Sequence, residues 1–329
     1  MWCDIEMMYD FCSSTQIVAV PCQKEELLQN LRRQIDFKWE AHNLVRFAEN
    51  FKAETHRGDL QFPIVSTAMI SPSVLMESWA HGKSASSLFS NVLQAVEHST
   101  MSAISKVDEF TGELVGTVSK EVAQKKRAMA TGTTLFDMSI KMFLRDNLVH
   151  GDLHAGNVLV SDNGTCTVID AGLTSSLDDS VRKDFTQFLH AICTGNSDSM
   201  VQHLVGFNVE AEPKPNKFSF SSSKDHIGSK DVEKQARALA ALRADVQSAV
   251  AEFVDGEHLT APGGGPIALG DLIGQILFSM QRHGVCLRGD VASALMTIAL
   301  TEGLVRSLDP EFDMVREAQP YFIRYSGAF

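Results

Sequence analysis

LVHGDLHAGNVLV, Leu148 to Val160, is the stretch whose reading decides the fold. Between two apolar runs it crowds His150, Asp152, His154 and Asn157 into eight residues. The continuation, NVLVSDNGTCTVID, sets an apolar run on each side of Asp162-Asn163-Gly164. Asn-Gly is the strongest short-range hairpin signal, because both residues tolerate positive φ. The pattern predicts a tight hairpin that starts just after Asn157 and ends at Asp170.

Antiparallel pairing brings the open ends of such a hairpin together. Asn157 begins the first strand, Asp170 ends the second, and Asp152 lies in the entry loop. An amide oxygen and a carboxylate are hard ligands that suit Mg²⁺ completed by water and phosphates. A second carboxylate nearby suits orienting or deprotonating an attacking hydroxyl. Phosphoryl transfer from ATP needs this layout. Protein kinases write it as His-Arg-Asp, four residues, Asn, and later Asp-Phe-Gly. Here His150-Gly151-Asp152 is followed by four residues and Asn157, then by Asp170-Ala171-Gly172. A His-x-Asp-x-His metal site on a strand competes with this reading. It is the weaker one, because no further His/Asp cluster supplies another ligand. In the kinase-like reading His150 braces the loop by hydrogen bonding.

Composition sets the surroundings. A length of 329 residues suggests about two domains or lobes. A net charge of -12 leaves no basic excess to displace phosphate counterions, which argues against nucleic acid as a partner. Lys125, Lys126 and Arg127 read as a solvated helix face. The cysteines are scattered, with no Cys-x-x-Cys pair, and read as free thiols in a reducing compartment. No run reaches the roughly 18 apolar residues of a membrane helix. Val291–Leu300 stops at Thr301-Glu302 and reads as a buried helix. The first residues, MWCDIEMMYDFCSS, show neither a signal-peptide nor a transit-peptide pattern.

Periodicity predicts one long helix over Lys24–Phe51, with Leu28, Leu31, Ile35, Trp39, Leu44, Phe47 and Phe51 at helical spacing. Strands follow near Ile64–Met69 and Val74–Glu77, then a helix over Ser86–His98. A second long helix covers Val115–Asp146, with a break expected at Thr131-Gly132-Thr133. From Asp179 the chain reads helical, except for Pro/Ser/Lys-rich loop Glu212–Lys230 and loop Thr260–Pro266. The glycines of the second loop lack the Gly-Lys-Ser/Thr of a phosphate loop.

Two families write this loop as His-Gly/Ala-Asp-x-His-x-Gly-Asn. One holds small-molecule phosphotransferases of the aminoglycoside and choline kinase type. The other is the UbiB/aarF-domain (ABC1-type) family of atypical kinases. QIDFKWEAHNLVRFAENF, Gln34–Phe51, resembles the second family's Glu-x-Asp helix followed by Glu-Ala-x-Asn. VLMESWAHG, Val74–Gly82, resembles its hinge strand. LTEGLVRSLDPEFDMVREAQPYF, Leu300–Phe322, resembles its C-terminal signature. The resemblance covers Pro21–Phe322 and looks closest to the mitochondrial aarF-domain kinase 2 type.

The resemblance implies an α+β, protein-kinase-like bilobal fold. Residues 1–77 would form a partial, truncated N-lobe, and residues 78–329 a mainly helical C-lobe carrying the catalytic β-hairpin. It implies ATP and Mg²⁺ as cofactors and weak kinase or ATPase activity in coenzyme Q biosynthesis or lipid metabolism. It further implies lipid or coenzyme Q intermediates at a membrane surface as partners, and a mitochondrial location. By position, Asp152 with His150 forms the catalytic loop and Asn157 and Asp170 are the metal ligands. The backbone of Glu77 lies at the adenine hinge, and Gln34, Asp36 and Glu40 stand on the helix that completes the nucleotide site.

The sequence also departs from that family. Its lysine strand, Lys-x-Gly-Gln segment and Ala-rich loop have no counterpart here. VAVPCQ, Val18–Gln23, echoes the lysine strand, but only twelve residues separate Pro21 from Gln34, too few for the intervening helices. Gln34 replaces the Glu that would pair with that lysine, and charge-assisted hydrogen bonds are roughly twice as strong as neutral ones. Ala171 in place of Phe removes an aromatic packing element. Three readings stay open: an ATP/Mg²⁺-dependent kinase or ATPase, a small-molecule phosphotransferase, and a pseudokinase fragment that binds without turnover.

Overall fold

The computed structural model describes residues 32, 35–87, 112–206, 229–255, 258–259, 266–283 and 287–325. The chain divides into two compact units. One comprises Asn30–Ser175 with Met296–Phe312; the other includes Ser176–Leu295 and Asp313–Phe329.

The first unit opens with α1 (Phe37–Asn50) and the short α2 (Lys52–Arg57). Asp36 caps α1: its backbone is extended, and its side chain accepts the Lys38 N–H at 3.0 Å. The single helix expected over Lys24–Phe51 is therefore broken at Asp36, because a capping aspartate satisfies an otherwise orphaned helical N–H only from non-helical backbone. Most of the earlier part of that expected helix lies outside the described residues.

β1 (Leu60–Gln61), β2 (Val65–Ser71), β3 (Val74–Glu77) and β4 (Lys83–Ser84) follow. β2 and β3 form an antiparallel pair close to the expected bounds. The helix expected over Ser86–His98 falls almost entirely outside the described residues.

α3 (Gly112–Lys141) runs unbroken through Thr131-Gly132-Thr133. Thr131, Thr133 and Thr134 each turn a hydroxyl back onto the carbonyl four residues earlier. Gly132 lies close to Val305 and Leu308. Tertiary packing here overrides glycine's poor helix propensity. The irregularity comes later, as a π-turn over Met142–Asp146 that ends on left-handed Asn147 (φ 48).

β5 (Val149–His150), β6 (Val158–Val160), β7 (Cys166–Val168) and β8 (Thr174–Ser175) complete the strands of this unit. One sheet has the order β1-β7-β6-β4, while β5 pairs with β8. β6 and β7 are the expected hairpin, antiparallel with Val158 opposite Val168 and Val160 opposite Cys166. Its turn differs in type. Ser161 and Thr165 still bond across the ladder, and Gly164 takes the left-handed conformation (φ 92) without Asn163. This is a three-residue loop with glycine at its left-handed position, the next common solution after the two-residue turn. β4 escaped sequence reading because it is two residues long. It reaches β6 only because Gly82 (φ 144) has no Cβ, which would sit 2.8 Å from the Val160 carbonyl carbon.

The core of this unit is aromatic. Phe47 stacks on Phe62 at 5.6 Å, with Phe51 and Phe62 tilted at 6.0 Å, and Leu44, Leu60, Leu135 and Leu144 are sealed beside them. An ion network borders it. Lys141 Nζ reaches Glu54 at 2.7 Å and Asp137 at 2.5 Å. Arg145, on the π-turn, donates to the Asn50 carbonyl at 2.7 Å and stacks over Phe51.

The second unit is helical as expected: α4 (Asp179–Cys193), α5 (Ser197–Gly206), α6 (Ser229–Ala251), α7 (Leu269–Arg282), the first turns of α8 (Gly289–Leu308), and α9 (Met314–Tyr325). Two short strands, β9 (Val254–Asp255) and β10 (His258–Leu259), were not expected. Asp245 on α6 accepts from Ser279 at 2.5 Å and meets His283 at 2.8 Å, so the carboxylate ties two helices together. The hydrogen bonds from Ser279 and His283 lower its pKa to about 2. By length and composition α8 is apolar enough to cross a membrane, and 61% of that stretch is buried inside the protein. The expected loops Glu212–Lys230 and Thr260–Pro266 lie mostly outside the described residues; α6 already begins at Ser229.

Removing Lys141 leaves the buried Glu54 carboxylate without its near partner, with Arg57 and Arg145 4.0 Å away. Lys141→Met is expected to lower the unfolding free energy by about 3–5 kcal/mol, and Glu54→Leu with Lys141→Met to recover most of that loss. Urea titration measures both. Burial raises the Glu54 pKa, but hydrogen bonding to Lys141 and the nearby cations outweigh it and hold the pKa below 4.5. A depressed pKa stabilises the fold above the unfolded value, so this contribution is lost as pH falls through the folded-state value.

Candidate functional site

The site belongs to the first unit and is built from two short ladders. β5 pairs with β8, His150 opposite Thr174, and the Gly151 N–H donates to the Leu173 carbonyl at 2.8 Å. β6 pairs with β7, and the Ile169 N–H donates to the Asn157 carbonyl at 2.9 Å. Loop 151–157 and segment 169–173 are thus tied to each other at both ends. Asn157 sits directly across from Ile169, one residue from Asp170, as the sequence register requires.

The loop folds on itself. The His154 N–H and the Asn157 Nδ2 both donate to the Asp152 carbonyl, each at 3.0 Å, and the Asn157 N–H donates to the His154 carbonyl at 2.9 Å. From β4, Ser84 donates its hydroxyl to the Ala155 carbonyl at 2.8 Å. These bonds leave the Asp152 carboxylate on the surface, 47% exposed, with His154 Nε2 3.6 Å away.

His150 is fully buried against Phe47, ring centroids 5.8 Å apart. Its Nδ1 accepts the Asp152 N–H at 3.2 Å, and Thr297 donates to its carbonyl at 3.2 Å. Burial drives its pKa down, against the backbone and charge of Asp170. The neutral ring therefore carries its hydrogen on Nε2, which makes no hydrogen bond of ordinary geometry. His150 braces the loop from beneath and reaches no solvent. His154 is exposed, so the two histidines do not share a face. Among the described residues no three His, Cys, Asp or Glu side chains could hold a metal between them.

Asp170 takes left-handed backbone (φ 61) and accepts the Gly172 N–H at 3.1 Å through Oδ1. Among the described residues no hydrogen bond engages its Oδ2 or the Asn157 Oδ1. The pair fits Mg²⁺, which accepts one or two protein oxygens and takes the rest from water and phosphate.

α1 faces this segment. Asn43, fully buried, donates its amide to the Ala171 carbonyl at 2.9 Å. The Glu40 pKa is raised to about 7, first by burial, then by the charges of Asp170 and Glu77; the Ala171 N–H draws it partly back. Glu77 ends β3 opposite Val65, and its pKa is raised by burial and by Asp170. Glu40, Glu77 and Asp170 therefore repel one another.

Of the residues the sequence singled out, Asp152 and Asn157 share one loop that the Ile169 bond ties to the segment bearing Asp170, Glu40 and Glu77 feel the Asp170 charge, and His150 is buried. Asp36 is spent on capping α1, and Gln34 lies outside the described residues. Asn43, Ser84 and Thr297 support the site without having been assigned to it. Asn43 was visible only inside the Glu-Ala-x-Asn run, because its partner is 128 residues away.

The family model of the ABC1 atypical kinase-like domain matches residues 3–204. The ABC1 family protein YPL109C, mitochondrial, of Saccharomyces cerevisiae is 23% identical over 325 residues, 92% of this chain and 45% of that protein. The ABC1 family protein C21C3.03, mitochondrial, of Schizosaccharomyces pombe is 21% identical over 351 residues, 94% of this chain and 42% of that protein. The chain thus spans less than half the length of these curated relatives. Among solved structures, the Rv3197–erythromycin complex from Mycobacterium tuberculosis aligns over 97% of this chain and 68% of that one, with 14% identity and a TM-score of 0.47.

The Glu40 shift fixes a pH dependence. A carboxyl whose folded pKa is raised from 4.5 to about 7 stabilises the fold below 4.5, and that contribution is lost as pH rises toward 7. Glu40→Gln is expected to flatten this decline and to gain stability relative to the parent at pH 8. Thermal melts from pH 4 to pH 8 check it; parallel curves for the two proteins would contradict it.

Proposed function

This chain belongs to the ABC1 atypical kinase-like family, and we propose on that premise that the site binds ATP with Mg²⁺ and acts as a kinase or ATPase. The fold class is the α+β, kinase-like one expected from the sequence. The single observation that carries the proposal is the hydrogen bond from the Ile169 N–H to the Asn157 carbonyl, which ties the backbone of Asn157 to the residue just before Asp170.

Asn157 and Asp170 are the residues that hold the divalent ion. When bound, the ion neutralises phosphate charge. Asp152, exposed beside them, orients an attacking hydroxyl or water and accepts its proton. The hydrogen bonds of Asn157 Nδ2 and His150 Nδ1 to the Asp152 backbone fix where that carboxylate stands. Glu77 offers its backbone at the adenine hinge.

Three mutually repelling carboxylates disfavour a bare polyphosphate and favour one that arrives with a cation. The same observation supports nucleotide binding that depends on metal. We extend the proposal to a mitochondrial role in coenzyme Q or lipid metabolism, with lipid-like intermediates as partners. The names of the two fungal relatives support the location, and the sequence motifs support the pathway.

Asp170→Asn is expected to weaken Mg²⁺-dependent ATP binding at least tenfold in titration calorimetry. Asp152→Ala is expected to leave binding intact and to lower any ATP turnover by roughly 10²–10⁴, the usual contribution of a positioned proton acceptor. Equal affinity of the Asp170→Asn protein and the parent would remove the metal assignment. ATP binding without turnover in the parent would leave the pseudokinase reading.

A further inference from the structure

The backbone on the far side of Asp170 is gripped by a helix distant in sequence. Asn43 donates to the Ala171 carbonyl at 2.9 Å. Glu40, three residues earlier and so on the same face of α1, is near enough for the Asp170 charge to act on it. Ala171 is itself sealed, 1% exposed, and Asp170 beside it holds a left-handed conformation that L-residues other than Asn, Asp and Gly seldom adopt.

Burying a side-chain amide is costly unless its polar atoms are paired. Asn43 is 0% exposed, and its Oδ1 has no partner among the described residues. A residue needed only to fill space at position 43 would be apolar. Among the described residues its side chain makes one hydrogen bond, to the segment that bears Asp170.

We infer that Asn43 is a positioning residue which holds Ala171 so that Asp170 presents its carboxylate beside Asn157, making divalent-ion affinity a property set from α1. The inference rests on the proposed Mg²⁺-nucleotide reading. Coupling of this kind is reciprocal: if docked α1 tightens ion binding, bound ion tightens α1.

Two measurements on the full chain test it. The first is Mn²⁺ binding, followed by electron paramagnetic resonance in the presence of a non-hydrolysable ATP analogue. Asn43→Leu is expected to keep the parent's far-UV spectrum, to bind the analogue without metal within twofold of the parent, and to need at least tenfold more Mn²⁺ for half-saturation. Asn43→Ser serves if the leucine variant does not fold. Mn²⁺ affinity within twofold of the parent, while Asp170→Asn still loses it, would overturn the clamp and leave the metal site standing. Mn²⁺ affinity indifferent to Asp170→Asn would overturn the site reading and the clamp with it. The second measurement needs no variant. Adding Mg²⁺ with the analogue is expected to slow amide exchange over residues 40–46 together with 169–172. Protection confined to 169–172 would overturn the coupling.

Discussion

Everything at the site depends on two backbone hydrogen bonds, Gly151 N–H to Leu173 and Ile169 N–H to Asn157. They close the mouths of two ladders, β5/β8 and β6/β7, which share the same pair of strand-connecting segments. The chain between Gly151 and Asn157 therefore cannot drift relative to the chain between Ile169 and Leu173. Left-handed backbone costs an ordinary residue about 1–2 kcal/mol, less for aspartate, and at Asp170 the surrounding bonds impose it.

Electrostatics gives that geometry a direction. Glu40, Glu77 and Asp170 repel one another, and burial first, then that repulsion, lifts the Glu40 pKa to about 7. Protein sites seldom gather anionic groups without a cation or proton to share. Here a proton can sit on Glu40 in the free protein, and a divalent ion would take over much of its role. The paired Glu54 and Lys141 behave differently: their charges cancel locally and hold α2 to α3.

Much of this was legible in the sequence, for physical reasons that can be named. The hairpin arms showed as apolar runs of strand length, and Asp162-Asn163-Gly164 marked the turn. The turn type was not legible, because glycine alone could supply the positive φ once the loop took three residues. The spacing of Asp152, Asn157 and Asp170 suggested the kinase-like reading, and the ladder register ties Asn157 to Ile169, the residue before Asp170. What stayed hidden depends on contacts distant in sequence. Neither the Asn43–Ala171 bond nor the close approach of Gly82 to Val160 leaves a local pattern. The unbroken course of α3 through Gly132 was misjudged because propensity says nothing of the packing that supports it. Asp36 was read as a site residue, and its capping role could have been foreseen from its place just before the apolar face of α1.

The most direct measurement is the anomalous X-ray signal of Mn²⁺ in crystals grown with an ATP analogue. The account requires one peak within coordination distance, roughly 2.0–2.3 Å, of both the Asn157 amide oxygen and an Asp170 carboxylate oxygen. A peak bound elsewhere, with those two side chains pointing to different solvent regions, would contradict it.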